Sequence, residues 1–189
     1  MQQNEIVTLD MHSVLVRRDG FESGIEDSAA PIHDRHGRVV GAVLVFHDVS
    51  DSRAIALKMS HQAQHDFLTG LPNRLLLTDR LTQAIALRRR HGDKVVLLFL
   101  DLDFFKRVND SLGHVIGDKL LQSVAQRLTA CVRTSDTVCR LGGDEFVVLL
   151  SEIEHLDAAA RSAEKVLNAV AVPHLIGGHE VHVTFSIGI

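Results

Sequence analysis

Apolar residues follow two different spacings along this chain. Residues 5–16 and 39–47 are rich in Val, Leu, Ile and Phe, and Ile32-His-Asp-Arg-His-Gly-Arg38 carries the turn residues of a hairpin. The first fifty residues therefore predict antiparallel strands without a helix. Three such strands leave an apolar sheet face with little to cover it. From Asp48 the spacing changes. Asp51 or Ser52 can cap a helix whose apolar side is Ile55, Leu57, Met59 and Ala63 and which runs to about residue 65. Gly70 and Pro72 interrupt it, after which Leu75, Leu77, Leu81, Ile85 and Leu87 recur at near-helical spacing until His91-Gly92.

The expected order beyond is strand 95–101, helix 114–132, strand 137–141, strand 144–150, helix 155–171 and strand 180–188. Leu120, Leu121, Val124, Leu128 and Val132 form one buried face, and Val181, Val183, Phe185 and Ile187 alternate as in a half-buried strand. A β-α-β-β-α-β order is the ferredoxin-like, split βαβ arrangement of the α+β class, with helices on one face of an antiparallel sheet. Its hairpin lies beside its first strand, which brings Asp101 and Asp144 together.

Composition narrows the function. Among 189 residues, 46% are hydrophobic, enough for a core, and a net charge of -4 with interspersed signs gives no footprint for a nucleic acid polymer. Any nucleotide bound is then a small molecule. No apolar run approaches a membrane span and no signal-peptide pattern opens the chain, so the segment reads as cytoplasmic, with any membrane anchor outside it. Cys131 and Cys139 lack Cys-x-x-Cys spacing, and the 12 histidines are scattered, so neither a disulfide framework nor a zinc site is expected.

Two acidic clusters carry the chemistry. Asp101-Leu-Asp-Phe-Phe-Lys106 follows Val95-Val-Leu-Leu-Phe-Leu100, and Gly142-Gly-Asp-Glu-Phe146 precedes Val147-Val-Leu-Leu150. Carboxylates delivered to one sheet edge by different strands repel unless a cation shares the site. Gly142 and Gly143 add backbone that can take positive φ and admit a bulky ligand closely. Carboxylates, a divalent metal and open backbone point to phosphoryl or nucleotidyl transfer.

Arg140-Leu-Gly-Gly-Asp-Glu-Phe146, with Asp66-Phe-Leu-Thr-Gly-Leu-Pro-Asn-Arg74, Asp101-Leu-Asp-Phe-Phe-Lys-Arg-Val-Asn-Asp110 and Gly113-His-Val-Ile-Gly-Asp118 upstream, closely resembles the GGDEF family of diguanylate cyclases. The resemblance implies condensation of two GTP, one held by each subunit of a homodimer, into cyclic di-GMP with loss of two pyrophosphates. It also implies that Asp101, the Leu102 carbonyl, Asp144 and Glu145 hold Mg2+ or Mn2+. Asn109 and Asp118 would read the guanine, Phe105 would pack on it and His114 would line its pocket. Backbone N–H groups at Phe104, Phe105 and Lys106, where strand passes into loop, would meet the phosphates near Gly142 and Gly143. Asp144 is the first choice to receive the proton, with Glu145 the alternative. Asp103 reads as either a partner of Asp101 or a loop acid or cap, Lys106 as a phosphate ligand or a solvated lysine, and Asp118 as base reader, helix cap or both.

Arg133-Thr-Ser-Asp136 stands at the spacing of the family's Arg-x-x-Asp product-inhibition site, although Arg133 also suits a helix C-terminus and Asp136 a turn. Arg18-Asp-Gly20, Ile25-Glu-Asp-Ser-Ala-Ala-Pro-Ile32 and Gly41-Ala-Val-Leu-Val-Phe-His-Asp-Val49 resemble the closing strands of a PAS sensor. The expected layout is partial PAS at 1–50, connector helix at 51–65 and a GGDEF domain at 66–189. That domain is C-terminally incomplete by the family pattern, which continues through phosphate-clamping Lys and Arg, so weak turnover is expected of residues 1–189 alone. The competing expectation is a non-catalytic module that binds GTP or cyclic di-GMP and regulates an attached domain.

Overall fold

The computed structural model of the protein describes residues 7–8, 13–88, 94–153 and 155–189, and it divides into two units at His61/Gln62. Residues 5–6 and 9–12 of the first expected strand and the helix stop at His91-Gly92 lie outside the described residues.

In the first unit β1 (Val7–Thr8) and β2 (Val14–Val16) each pair antiparallel with β3 (Glu22–His33), which also pairs with β4 (Val39–Asp48). The β3–β4 turn closes where its residues predict. The Asp34 carboxylate accepts the His36 and Arg38 N–H groups at 2.8 and 2.9 Å, and Gly37 takes positive φ. All ten residues of β4 are exposed, in keeping with a sheet face that the described residues of this unit leave uncovered. Helix α1 (Ser50–Gln64) is capped by Asp48, whose carboxylate accepts the Ser50 N–H at 3.0 Å, rather than by Asp51 or Ser52. Hydrogen bonds from Ser50 hold the Asp48 carboxyl below its ordinary value. No residue of α1 is buried.

The second unit contains α2 (Arg74–Arg88), β5 (Lys94–Leu102), α3 (Phe105–Leu112), α4 (His114–Cys131), β6 (Thr137–Gly142), β7 (Glu145–Ile153), α5 (Leu156–Ala171), β8 (His174–Ile176), β9 (His179–Val181) and β10 (Phe185–Gly188). The main sheet runs β10-β5-β7-β6, antiparallel throughout, the mixed α+β arrangement that the sequence predicts. Val96, Leu98, Leu100 and Leu102 of β5 turn one way, into a core with Leu120, Leu121, Val124 and Leu128 of α4 and Val166 and Val170 of α5.

α4 and α5 share one face of the sheet, as the β-α-β-β-α-β order predicts, while α2, which precedes that order, covers the other, where Leu77 packs on Cys139, Val147 and Leu149. The reason lies in β7, where Phe146 to Leu150 are five successive apolar residues, all buried, so the strand has no polar face to leave in water. The single strand expected at 180–188 is two strands separated by His182–Thr184. β9 folds back on β8 through Gly177 and Gly178, both at positive φ as a two-residue hairpin requires, and β10 returns to pair with β5.

Candidate active site

The two acidic clusters meet where β5 and β7 end. Their register sets Asp101 opposite Glu145, and the Leu102 N–H donates to the Asp144 carbonyl at 3.2 Å. Alternation along β5 buries the Leu102 side chain, leaving only its backbone for a ligand, and puts Asp101 on the other face with the exposed Phe99. Gly142 (φ 144°) and Gly143 (φ 54°) form the turn at angles that side-chain-bearing residues avoid, and the β6–β7 register shifts there. Burial, and then the negative charges of Asp144, Glu145 and Asp103, push the Asp101 carboxyl above its ordinary value. Crowded hard oxygen donors of this kind fit Mg2+ or Mn2+, held by a few carboxylates with the remaining ligands from water and phosphate. Among the described residues no three such groups already form a closed cage.

Asp103 does not share that cluster's task. The Thr184 and Ser186 hydroxyls donate to its two oxygens at 2.6 and 2.7 Å, and its N–H donates to the Thr184 carbonyl at 2.9 Å. These hydroxyl bonds hold its carboxyl below the ordinary value. It is a latch from the end of β5 to Thr184 and to Ser186 of β10, and not a helix cap. Phe104 then takes φ 59°, the one positive φ at a non-glycine among the described residues, and α3 starts at Phe105 with no side-chain cap. The backbone at Phe104, Phe105 and Lys106 is therefore the N-terminus of a helix, where loop was expected. Its unpaired N–H groups and helix dipole suit an anion.

The other residues assigned by resemblance lie on α3 and α4. Asn109 and Phe105 are half-buried on α3, while His114 opens α4 and Asp118 is exposed in its second turn, too far along to cap it. Gly117 governs their fit. A Cβ there would overlap the Asn109 Oδ1 and stand 3.3 Å from the Phe105 ring.

A model of the family described as "Diguanylate cyclase, GGDEF domain" matches residues 63–189. The chain belongs to this family. The bifunctional diguanylate cyclase/cyclic di-GMP phosphodiesterase MucR of Pseudomonas aeruginosa is 53% identical over 127 residues, covering 67% of this chain and 18% of MucR. The probable diguanylate cyclase DgcE of Escherichia coli is 37% identical over 174 residues, covering 92% of this chain and 16% of DgcE. This chain thus spans less than a fifth of either relative's length. Among solved structures, the coiled coil and GGDEF domain of DgcB from Caulobacter crescentus, in complex with c-di-GMP, superposes with a TM-score of 0.67 at 27% identity, covering 74% of this chain and 75% of that one.

Away from the acidic edge of this GGDEF domain, a cleft of about 700 Å³ opens between α4, α5 and β7. Arg133, Asp136, His155, Arg161 and Lys165 line it together with apolar side chains. Asp136 also closes a turn, accepting the Arg133 N–H at 3.1 Å and the Ser151 N–H at 3.3 Å. Sequence reasoning missed Gly117, Asp66 and the side-chain role of Arg140, and it left Asp103 open. A glycine inside an otherwise helical pattern was the available signal for Gly117. Nothing local marks the other three.

Proposed function

We propose that this chain carries the catalytic half-site of a diguanylate cyclase, holding one GTP per copy and making cyclic di-GMP between two copies. The observation that carries the proposal is the β5–β7 register, which sets Asp101 against Glu145 with Asp144 beside them on the Gly-Gly turn. Asp101, the Leu102 backbone, Asp144 and Glu145 would hold Mg2+ or Mn2+. A bound divalent ion there neutralises phosphate charge and lowers the pKa of a bound hydroxyl. The α3 N-terminus receives the phosphates through backbone N–H groups, with Lys106 exposed beside it. Asn109 and Asp118 offer the amide and carboxylate that a guanine edge can pair with, and Phe105 and His114 flank that pocket.

In the reaction, the 3′-hydroxyl oxygen of one GTP bonds to the α-phosphorus of the other. The bond to the departing pyrophosphate breaks, and the hydroxyl proton passes to a carboxylate. A second, symmetrical transfer closes the ring. Glu145 faces Asp101 across the strand pair, which leaves Asp144 as the better placed base. Charge and size support the cleft at Arg133 and Asp136 as the product-inhibition site, since Arg133, Arg161 and Lys165 match the phosphodiesters of cyclic di-GMP. The sheet of β1 to β4, read as the end of a PAS sensor, and α1 would deliver the upstream signal.

The test is turnover of GTP with Mg2+ by the full-length polypeptide. Cyclic di-GMP and pyrophosphate are expected from the wild type and essentially none from Asp144→Ala. Wild-type rates from that variant would remove the assignment. GTP or cyclic di-GMP binding without turnover by the full-length wild type would favour the non-catalytic module.

A further inference from the structure

One buried side chain ties the turn after α1 to the acidic hairpin. Arg140 of β6 donates through Nη1 to both Asp66 oxygens, at 2.9 and 3.1 Å, and through Nε and Nη2 to the Gly143 carbonyl, at 3.0 and 2.7 Å. Its own N–H donates to the Pro72 carbonyl at 3.0 Å. Asp66 is held in turn. It accepts the Thr69 N–H and hydroxyl at 2.9 and 2.6 Å, and its N–H donates to the Leu71 carbonyl at 2.8 Å. Asn73 completes the segment by donating its N–H to the Gln64 carbonyl and its amide to the Ala63 carbonyl, at the end of α1, while capping α2 through the Leu75 N–H.

The contact on Gly143 matters because of what comes next. Gly143 has no side chain to anchor it and sits at positive φ, so its peptide plane is free to swing unless its carbonyl is held. That plane is rigid and includes the nitrogen and Cα of Asp144. Fixing the carbonyl oxygen thus sets the direction in which the acidic pair leaves the turn. A buried ion pair is weak evidence for stability by itself, which makes a role in orientation the better account of this one.

We infer that Arg140 and Asp66 are positioning residues for the hairpin: Asp66 orients the guanidinium, the guanidinium holds the Gly143 carbonyl, and the Gly143–Asp144 peptide aims Asp144 and Glu145 at a metal-bound nucleotide. The inference rests on the proposed function above. Neither residue touches the substrate, so their effect is on the metal-dependent part of nucleotide binding.

The experiment is calorimetric titration of residues 1–189 with GTP, once with Mg2+ and once with the metal chelated, in wild type, Arg140→Lys and Asp66→Asn. Lysine keeps the charge but cannot span Asp66 and Gly143 together. Asparagine keeps the shape and the Thr69 bonds but not the charge. The gain in affinity from Mg2+ is expected to fall about tenfold or more in Arg140→Lys, and less in Asp66→Asn, with metal-free affinity unchanged. An undiminished Mg2+ gain in both variants overturns the inference. So does an equal loss with and without metal, the signature of general destabilisation. If Arg140→Lys does not fold, Asp66→Asn carries the same comparison. A wild type with no Mg2+ gain sinks the proposed function itself, whereas a wild-type gain retained in the variants sinks only the positioning role.

Discussion

Phe104 shows how a single residue conformation is maintained here. Its left-handed backbone costs about 1–2 kcal/mol. The Arg107 guanidinium lies 5.6 Å from its exposed ring, a contact worth only about 0.5–1 kcal/mol in water. The ring contact alone does not cover the strain, and the Asp103 latch to Thr184 and Ser186, immediately before it, supplies the rest of the restraint. Gly117 poses the opposite case. Alanine in place of glycine inside a helix gains up to about 1 kcal/mol, but here the new Cβ would push the Asn109 amide aside. That amide is the end of a flexible side chain, so it can move without unfolding anything. Gly117→Ala is therefore expected to keep or raise the melting temperature while weakening GTP binding and its preference over ATP. A variant with wild-type nucleotide preference would show that Asn109 does not read the base.

Among the elements, α5 and β8 depend on a polar knot. Arg127 of α4 donates to the Ala169 and Pro173 carbonyls at 3.1 and 2.7 Å and also to the Val172 carbonyl, taking up groups that a helix C-terminus leaves unpaired. His174 is fully buried beside it, with Ser123 Oγ 2.8 Å from Nδ1, and Arg127 Nη1 and the Val170 carbonyl each 3.2 Å from Nε2. Burial, and then the Arg127 charge, lower the pKa of the ring below its ordinary 6.5, so the fold holds it neutral. The sign follows from linkage. Below about 6.5 the unfolded chain binds a proton that the folded chain refuses, so this site's contribution is complete above that value and declines as pH falls through it. Urea midpoints compared at about pH 7.5 and about pH 5.5 should drop in the wild type and drop less in His174→Asn, which lacks the titrating ring. Equal drops would place the acid sensitivity elsewhere.

For the molecule as a whole, the proposed two-copy reaction needs a surface that pairs two copies. Ile55 and Met59 are 58% and 65% exposed at i,i+4 spacing on α1, with Leu57 at 73%. A parallel pairing of α1 helices would cover them, yet helices of about 15 residues are marginal alone. Residues 1–189 are expected to sediment as monomer or weak dimer at micromolar concentration. Ile55→Glu should shift that equilibrium further toward monomer. A protein that stays strictly monomeric while fully active would overturn the proposed two-copy reaction.

Much of this was legible without coordinates. The antiparallel strands, the connector helix, the α+β order and the acidic motifs follow from local periodicity, turn residues and motif spacing, which report on segments that bury or cap themselves. Topology alone brings Asp101 and Asp144 to one edge, whereas the pairing of Asp101 with Glu145 is set by the strand register. What only the tertiary structure decided lies in contacts distant along the chain: Arg140 with Asp66, 74 residues apart, Asp103 with Thr184, 81 apart, and His174 with Ser123, 51 apart. A polar side chain paired across the fold has the same letter as one left in water, and no periodic pattern records which it is. The split of 180–188 has the same origin, because the strand pattern continues through His182–Thr184 while the backbone there leaves β8 and turns toward β5 and Asp103.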